Sequence, residues 1–516
     1  MTGTTIVILC TIIAYMAMMI WIGFAVSDKN KTSSDFYLGG RTLGPFVTAM
    51  SAEASDMSGW LLMGLPAVAM MMGISEASWT AIGLAIGTYI NWLIVAKRLR
   101  VYSQKIDSFT LPDFFSRRFG DNKKVLTIIA ALIIVVFFIP YTASGFAACG
   151  KLFSSLFGMD YVLAMVLSAA VIIIYCTLGG FLAASTTDFI QSIIMTVALL
   201  VVLGLGEGLI NGFDSVFANV AGLNGYLDLF ASHNVATGQA GVYSALDVAS
   251  TLAWGLGYFG MPHILLRFMA IEDENKLKTS RRVASIWVVI SMGVAVLIGV
   301  VGYSLMQKGV LPQYTSASNA ETIIVDIAKF LGSFGFVPAL TAGIILAGIL
   351  ASTMSTADSQ LLAASSSISQ NLVQEAFGVK ITAKKSMWLA RISVVVISVI
   401  AIFLALDPSS SVFDIVSFAW AGFGAAFGPV ILCSLFWKRA NKYGAIAGMI
   451  SGGAVVFIWK FVIRTTFDGT VLDFYELLPA FIVGLVVIVV VSLLTKAPEK
   501  EIVDKFDEVK EYCKVK

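Results

Sequence analysis

Charged side chains are scarce in this sequence. Asp, Glu, Lys and Arg make up 13% of its 516 residues, against 58% for the hydrophobic ones. An average soluble domain carries roughly 25% charged residues, so a globular protein that faces water on all sides is excluded. The formal net charge of +2 also argues against binding of nucleic acid, which calls for a strongly basic surface.

Cysteine pairs and catalytic motifs are missing as well. The five cysteines are scattered and never form a Cys-x-x-Cys pair, so neither a disulfide framework nor a zinc site is indicated. No P-loop is present, and no serine, histidine and aspartate can be placed at one common membrane depth. The sequence therefore predicts neither an enzyme nor a protein driven by ATP.

Long apolar runs dominate the sequence instead. The first, from Ile6 to Val26, ends before the first charged residue, Asp28, and is about long enough to cross a hydrocarbon core of ~30 Å. No basic stretch precedes it and it is too long for a cleaved signal peptide, so we interpret it as a membrane helix. Windows of about 19 residues predict thirteen such spans, near 4–26, 45–73, 77–97, 125–153, 160–180, 187–210, 246–270, 283–306, 337–372, 387–406, 411–437, 443–464 and 476–495.

The basic residues predict the orientation of these spans. With thirteen spans and the N-terminus outside, 29 of the 34 lysines and arginines fall on the cytoplasmic side, as the positive-inside rule requires. The long outer loop at 211–245 contains none. We therefore expect a multi-pass protein of the cell (inner) membrane with a short charged cytoplasmic tail and no soluble domain.

The second span contains an unusual polar stretch at 51–60. Two carboxylates, Glu53 and Asp56, stand there with three serines and a glycine in an otherwise apolar span. Such a stretch is tolerated at membrane depth where its backbone lines a cavity or an ion site. We therefore predict that the helix unwinds here, the alternative being a polar stripe used for helix packing.

The seventh span contains a second interruption, at 254–263, where three glycines and Pro262 destabilise a regular helix. Paired interruptions at matching positions of two halves indicate a transporter built from inverted repeats. The predicted division is a peripheral helix at 1–26, five-helix repeats at 45–210 and 246–437, two peripheral helices at 443–495 and a cytoplasmic tail at 496–516.

The ninth span presents hydroxyl groups along one helix face, because Ser352, Ser355, Thr356 and Ser359 are spaced i, i+3, i+4 and i+7. Such hydroxyls often bond carbonyls of their own helix, which is one interpretation. In the other interpretation, Ser355 and Thr356 lie beside backbone carbonyls that lose their helical partners where the second span unwinds. About five neutral oxygens of this kind suit a partly dehydrated monovalent cation, and sodium is the expected ion.

Two further polar residues leave alternatives open. Asp188 opens the sixth span, where it either caps the helix N-terminus or forms an inner cation position together with Asp358. His263, next to a proline, is interpreted as a hydrogen-bonded structural residue rather than a proton relay.

With these motifs the sequence resembles the sodium/solute symporter family, and within it the bacterial sodium/proline symporters. The matching segments lie at 38–46, 54–64, 179–183, 254–260, 354–356 and 419–429. The resemblance implies an all-α multi-pass membrane protein with about thirteen transmembrane helices and a LeuT-type five-plus-five inverted repeat. It also implies sodium-coupled import of L-proline by alternating access, with the sodium ion, proline and the lipid bilayer as partners and no obligatory protein partner.

The same resemblance implies roles for individual residues. It implies sodium ligands in the carbonyls of Ala54, Met57 and Ser352 and the side chains of Ser355 and Thr356. It implies a solute pocket formed by Ser58, Gly59, Trp60, Tyr141, Trp254, Tyr258 and Pro262, an outer gate near Phe423, and Arg41 near the inner path. The candidates for cation coupling are Asp56, Asp188 and Asp358.

Two departures from the family pattern and one rival solute class remain open. Glu53 stands where a small residue is commoner, and Asp358 adds a carboxylate to the ninth span. Each either binds a second cation or is a salt-bridged structural group. A carrier of the same fold for pantothenate, a sugar or another carboxylate is the alternative function, while a transporter-like sensor would usually append a soluble signalling domain.

Overall fold

The computed structural model describes residues 3–27 and 37–515, apart from the side chains at positions 26, 27, 175, 178, 179, 383 and 515. The ends of the predicted first helix and of the tail, at 1–2 and 516, lie outside the described residues. So do Lys29 and Lys31, which contribute to the predicted orientation.

Helices make up most of the described chain, because apolar residues run through it with few breaks. The first half consists of α1 (Gly3–Ser27), α2 (Pro45–Asp56), α3 (Leu65–Met72), α4 (Ile74–Ile90), α5 (Ala96–Lys105), α6 (Leu111–Arg118), α7 (Val125–Phe157), α8 (Tyr161–Gly208) and α9 (Phe213–Val220), followed by strands β1 (Ala231–Asn234) and β2 (Gln239–Val242). The second half consists of α10 (Ala245–Leu252), α11 (Pro262–Ala270), α12 (Leu277–Gln307), α13 (Ala317–Ala320), α14 (Ile323–Gly332), α15 (Phe336–Ser366), α16 (Ala383–Leu404), α17 (Val412–Phe436), α18 (Lys442–Ile458), α19 (Arg464–Thr466), α20 (Leu477–Leu494) and α21 (Lys500–Val515).

Ten helices among the described residues are long and apolar enough to cross a membrane. The other three predicted spans are built from shorter pieces, two of them being the predicted interrupted segments. The third is the first part of α8, which runs as one element but is broken at Gly180 (φ 64°, ψ −176°), a conformation that glycine tolerates best. The membrane class is therefore confirmed, and the count of thirteen spans stays a prediction.

The predicted outer loop at 211–245 is folded rather than irregular. It contains α9 and an antiparallel hairpin in which Ala231 pairs with Val242. Tyr226 fixes it to the helices beneath, because its hydroxyl donates to Met70 O (3.0 Å) and its carbonyl accepts from Ile74 N (2.9 Å).

Glycines allow α4 to approach the second interrupted segment very closely. A Cβ added to Gly87 would lie 2.3 Å from Gly255 O, and one added to Gly255 would lie 2.2 Å from Gly83 O. Small residues at such crossings let two backbones touch in lipid, where packing rather than hydrophobic burial holds helices together. Direct packing of the two backbones therefore holds the interrupted segment in place.

We expect Gly87→Ala to lower the stability of the protein by about 1–3 kcal/mol, because the new methyl group overlaps the Gly255 carbonyl. Thermal unfolding of the purified protein in detergent measures this. Gly293→Ala is the matched control, since nothing lies within 4 Å of a Cβ there and alanine favours the helix. Equal unfolding midpoints for the two variants would contradict the close crossing.

Candidate functional site

The helix of the second predicted span is interrupted in the middle of the protein, as predicted. Helix α2 ends at Asp56, Met57 leaves the helical region (φ −75°, ψ 67°), and the chain resumes as a π-helix at Trp60–Gly64 before α3. Ser58 N bonds only two residues back, to Asp56 O (2.8 Å). The interruption frees backbone groups where every neighbouring side chain is buried.

The seventh predicted span is interrupted too. It begins as α10, tightens into a 3₁₀ segment at Ala253–Phe259, and restarts as α11 with Pro262 in its first turn. Met261 between them is extended (ψ 111°). Proline suits the start of a helix because it lacks the N–H that would be unpaired there. The prediction of two interrupted helices is therefore confirmed.

One predicted sodium ligand of α15, Ser355, contacts one of α2, Ala54. Ser355 and Thr356 also bond Ser352 within α15, as the interpretation in which these hydroxyls bond their own helix expects. Ser355 Oγ donates to Ala54 O (2.8 Å) across 301 residues of sequence and also lies 3.2 Å from Ser352 O. Thr356 Oγ1 lies 3.0 Å from Ser352 O. The fifth predicted ligand, Met57, is the residue at which α2 unwinds.

These atoms form a cluster of neutral oxygens. A hydroxyl keeps acceptor lone pairs and turns freely, so Ser355 and Thr356 can accept a cation as readily as they bond the carbonyls. Among the described residues no group of three or more His, Cys, Asp or Glu side chains is placed to hold a metal ion. The donor set therefore fits a monovalent cation bound by carbonyls and hydroxyls rather than a transition metal.

Asp56 links the first interruption to two other elements. Its Oδ2 accepts a hydrogen bond from Tyr258 OH (2.6 Å), and its carbonyl accepts from Tyr141 OH (3.1 Å) and Trp60 Nε1 (3.2 Å). Asp56 is fully buried. One acidic residue thus orients three aromatic side chains that were predicted to bind the solute.

The predicted solute residues gather around the two interruptions. Trp60 and Trp254 approach each other with ring centroids 5.9 Å apart. A Cβ on Gly59 would lie 3.0 Å from Ala148 Cβ, so the backbone runs close to α7. Ser58 and Gly59 lie at the first interruption, Tyr258 and Pro262 flank the second, and Tyr141 reaches in from α7.

Two aromatic residues of α17 belong to this cluster although the sequence reasoning did not select them. Trp420 Nε1 donates to Trp254 O (2.7 Å), and Phe413 packs against Trp254 with centroids 5.3 Å apart. Trp420 lies in the segment 419–429 that matches the family, but no role followed from that match. Phe423, near which an outer gate was predicted, lies deeper, against Phe138 (4.4 Å between centroids).

A buried ion pair holds the N-terminal end of α17 in place. Lys151 Nζ lies 2.5 Å from Glu321 Oε2, and both side chains are almost fully buried. Glu321 Oε1 accepts from the backbone N of Phe413 (3.2 Å) and from Ser411 Oγ (3.2 Å). The position of Phe413 over Trp254 therefore depends on a charged pair that the sequence did not reveal.

Asp188 forms a second buried ion pair, with Arg267 of α11. Their closest atoms, Asp188 Oδ2 and Arg267 Nη2, are 3.0 Å apart, and both side chains are at most 1% exposed. Ser51 Oγ donates to the same Oδ2 (2.7 Å), and Arg267 Nη2 donates to Ser359 Oγ (2.6 Å). The capping alternative for Asp188 is wrong, because its helix restarts after Gly180, a full two turns earlier.

The other polar residues singled out from the sequence occupy distinct positions. Ser359 Oγ lies 3.1 Å from Asp358 Oδ1, so Asp358 adjoins the Arg267 cluster. Glu53 Oε1 accepts from Trp92 Nε1 (3.0 Å), and Glu53 takes part in no ion pair among the described residues. Arg41 donates to the carbonyls of Met269 (2.6 Å) and Ser108 (2.7 Å).

The expectation that His263 is a hydrogen-bonded residue is wrong. Within the described part of the chain neither of its ring nitrogens has a hydrogen-bond partner, and the residue is fully buried. Its ring packs against Phe138 (5.7 Å between centroids) and, edge to face, against Tyr141 (6.5 Å). His263 therefore adjoins the predicted solute pocket.

We expect Arg267→Met to destabilise the protein by about 3–5 kcal/mol, since Asp188 is left as an uncompensated buried charge. The double variant Asp188→Asn with Arg267→Met removes both charges and is expected to regain most of that loss. Thermal unfolding in detergent compares the three proteins. If the double variant unfolds as early as the single one, charge pairing is not what holds this contact.

Comparison with known proteins gives one family. Residues 36–452 match the model of the sodium:solute symporter family. The osmoregulated proline transporter OpuE of Bacillus subtilis (strain 168) is 43% identical over 489 residues, which are 94% of this chain and 94% of that protein. The sodium/proline symporter of Escherichia coli (strain K12) is 42% identical over 504 residues, 97% of this chain and 95% of that protein.

Solved structures give the fold. A Na⁺-coupled sialic acid symporter in a substrate-bound outward-open state matches with a TM-score of 0.77 at 17% identity, over 96% of this chain and 99% of that chain. MhsT in complex with L-phenylalanine matches with a TM-score of 0.51 at 14% identity, over 87% and 97% of the two chains. The predicted LeuT-type fold is therefore confirmed, while the residue bounds of the two repeats stay a prediction.

Proposed function

Because the chain belongs to the sodium:solute symporter family, we propose that it imports L-proline together with sodium by alternating access. Relatives named as sodium/proline symporters, at about 40% identity over nearly the whole chain, support this solute and this ion. The geometric observation that carries the proposal is the contact between Ser355 Oγ and Ala54 O at the unwound end of α2.

In this proposal sodium binds in the oxygen cluster between α2 and α15. The carbonyls of Ala54, Met57 and Ser352 and the hydroxyls of Ser355 and Thr356 provide five neutral ligands. A cation there replaces the hydrogen bonds that Ser355 and Thr356 now make to the carbonyls, and binds both helices at once. Neutral oxygens strip only part of the hydration from the ion, so it can be bound and then released.

Proline is a zwitterion with an apolar ring, and the site offers groups of both kinds. The Ser58 hydroxyl at the first interruption suits the carboxylate. The faces of Trp254 and Trp60 suit the ring and the secondary ammonium. Tyr141 and Tyr258, both hydrogen-bonded to Asp56, fix the width of the pocket.

Sodium binding and solute binding are coupled in this proposal because the two sites are only a few residues apart. Ala54 and Met57 would bind sodium, and Asp56 between them bonds Tyr258 and Tyr141 of the pocket. An ion that fixes the end of α2 therefore fixes the pocket, and by reciprocity the solute raises the affinity for the ion.

The driving force is sufficient without ATP. One sodium ion that moves down ~100 mV contributes about 2.3 kcal/mol, and a tenfold concentration gradient adds about 1.4 kcal/mol. Together these accumulate a neutral solute a few hundredfold. We further expect the N-terminus outside and the C-terminus in the cytoplasm, as the distribution of basic residues predicts.

The decisive experiment is uptake of radiolabelled L-proline into proteoliposomes. An inward sodium gradient is expected to drive accumulation, and potassium in place of sodium is expected to abolish it. A competition panel with pantothenate, sugars and other carboxylates tests the alternative solutes of the same fold. Uptake of one of these in place of proline, or proline uptake indifferent to sodium, would contradict the proposal.

Thr356→Val tests the sodium ligands with an almost unchanged side-chain volume. We expect the sodium concentration for half-maximal uptake to rise about tenfold or more, because one oxygen ligand is replaced by a methyl group. Thr341→Val on the same helix is the control, since Thr341 bonds its own helix, at Val337 O (3.1 Å), and is only partly buried. An unchanged sodium dependence in Thr356→Val would remove Thr356 from the site.

A further inference from the structure

One aromatic residue of the solute cluster comes from outside both predicted repeats. Tyr475 lies just before α20, in the segment that joins the two helices predicted to be peripheral. Its ring stacks on Trp254 with centroids 5.1 Å apart and an angle of 20° between the planes. Nearly parallel stacking at this distance is a favourable aromatic arrangement.

Two hydrogen bonds tie Tyr475 to two different transmembrane elements. Its hydroxyl donates to Ser417 O of α17 (2.8 Å), and its backbone N donates to Ser250 Oγ of α10 (2.8 Å). Helix α10 leads directly into the 3₁₀ segment that carries Trp254. Tyr475 therefore bridges the interrupted segment and α17 on the side of the cluster away from Arg267.

The segment that carries Tyr475 is itself anchored. Arg464 binds Asp473 Oδ1 through Nε (2.9 Å) and Glu476 Oε2 through Nη1 (3.0 Å). Glu476, next to Tyr475 in sequence, is fully buried. Residues on both sides of Tyr475 are thus tied to the same guanidinium, which fixes the ring over Trp254.

Burial increases in steps from Tyr475 to the centre of the protein. Tyr475 is partly exposed, Trp254 beneath it is 4% exposed, and Trp60 beneath Trp254 is 1% exposed. The three rings form consecutive layers, with Trp254 and Trp60 at 5.9 Å. Tyr475 is thus the partly exposed ring that covers the buried Trp254.

We propose that Tyr475 is a positioning residue for solute binding: it holds Trp254 in the pocket and closes the route from the predicted outer face. This inference rests on the proposed function, because it takes Trp254 as part of the solute pocket. The two helices outside the repeats then contribute to transport through this one side chain rather than serving only as packing.

Three variants separate this role from simple packing of the peripheral helices. Tyr475→Ala removes the stack and the hydroxyl, and Tyr475→Phe keeps the stack but loses the bond to Ser417. Phe474→Ala is the matched control, since Phe474 is the adjacent aromatic residue but contacts Trp459 (4.9 Å between centroids) instead of Trp254.

For Tyr475→Ala we expect the proline concentration at half-maximal uptake to rise about tenfold, with a smaller change in the maximal rate. Tyr475→Phe is expected to recover most of this loss, and Phe474→Ala to match the unmodified protein. A loss of the same size in Phe474→Ala, or no change in Tyr475→Ala, overturns the inference.

Labelling of a cysteine gives a readout independent of transport rates. Ser417→Cys keeps the backbone carbonyl that accepts from Tyr475 OH and places a thiol beside it. Labelling of the protein without this change measures the background from the native cysteines. With saturating sodium and proline, we expect a membrane-impermeant thiol reagent to label the new thiol several-fold faster in Tyr475→Ala than with Tyr475 present. Equal rates overturn the inference, whereas failure of the unmodified protein to take up proline contradicts the proposed function instead.

Discussion

The organisation of this protein depends on one constraint, that backbone groups at membrane depth need partners. A continuous helix satisfies them internally, whereas an interrupted one exposes them. Here α2 ends at Asp56 within the buried interior, and the freed carbonyl of Ala54 is met by the Ser355 hydroxyl of α15 (2.8 Å). The same oxygen atoms that solve the hydrogen-bond problem in this conformation are those that fit a monovalent cation. The Ala54 carbonyl and the Ser355 hydroxyl therefore stabilise the interrupted helix and are also the proposed ion ligands.

The two helix interruptions could be predicted because the residues that cause them are neighbours in the sequence. Two carboxylates with three serines at 51–60, and three glycines followed by a proline at 254–263, stand out in apolar spans, and both helices are interrupted there. The partners of buried charges could not be predicted in this way. Asp188 and Arg267 are 79 residues apart, and Lys151 and Glu321 are 170 apart, so nothing in either neighbourhood points to the other.

Aromatic residues set a second limit on prediction. Phe413 and Trp420 contact Trp254, yet in an apolar span they look the same as side chains that face lipid, such as the exposed Phe403. Tyr475 was still harder to find, because it belongs to a segment outside the predicted repeats. The capping alternative for Asp188 was wrong for a different reason. The break that starts its helix is set by the conformation of Gly180 alone, and one glycine among many does not identify such a position.

Aromatic rings cover the proposed solute residues on one side, whereas a buried ion pair joins the helices on the other side. Trp254 is covered by the rings of Phe413 and Tyr475, and separating them exposes apolar surface in proportion to its area. On the other side Arg267 joins Asp188, Ser51 and Ser359, and separating a buried ion pair leaves bare charges unless water or another cation replaces the partner.

Helix geometry connects the ionic closure to the oxygen cluster. Ser51 lies three residues before Ala54 in α2, and Ser359 lies four residues after Ser355 in α15. Residues at these spacings share one helix face. Arg267 and the proposed sodium ion thus span the same pair of helices, one turn apart. In the proposed function, an ion that sets the distance between Ala54 and Ser355 would also set the distance that the Arg267 side chain has to bridge.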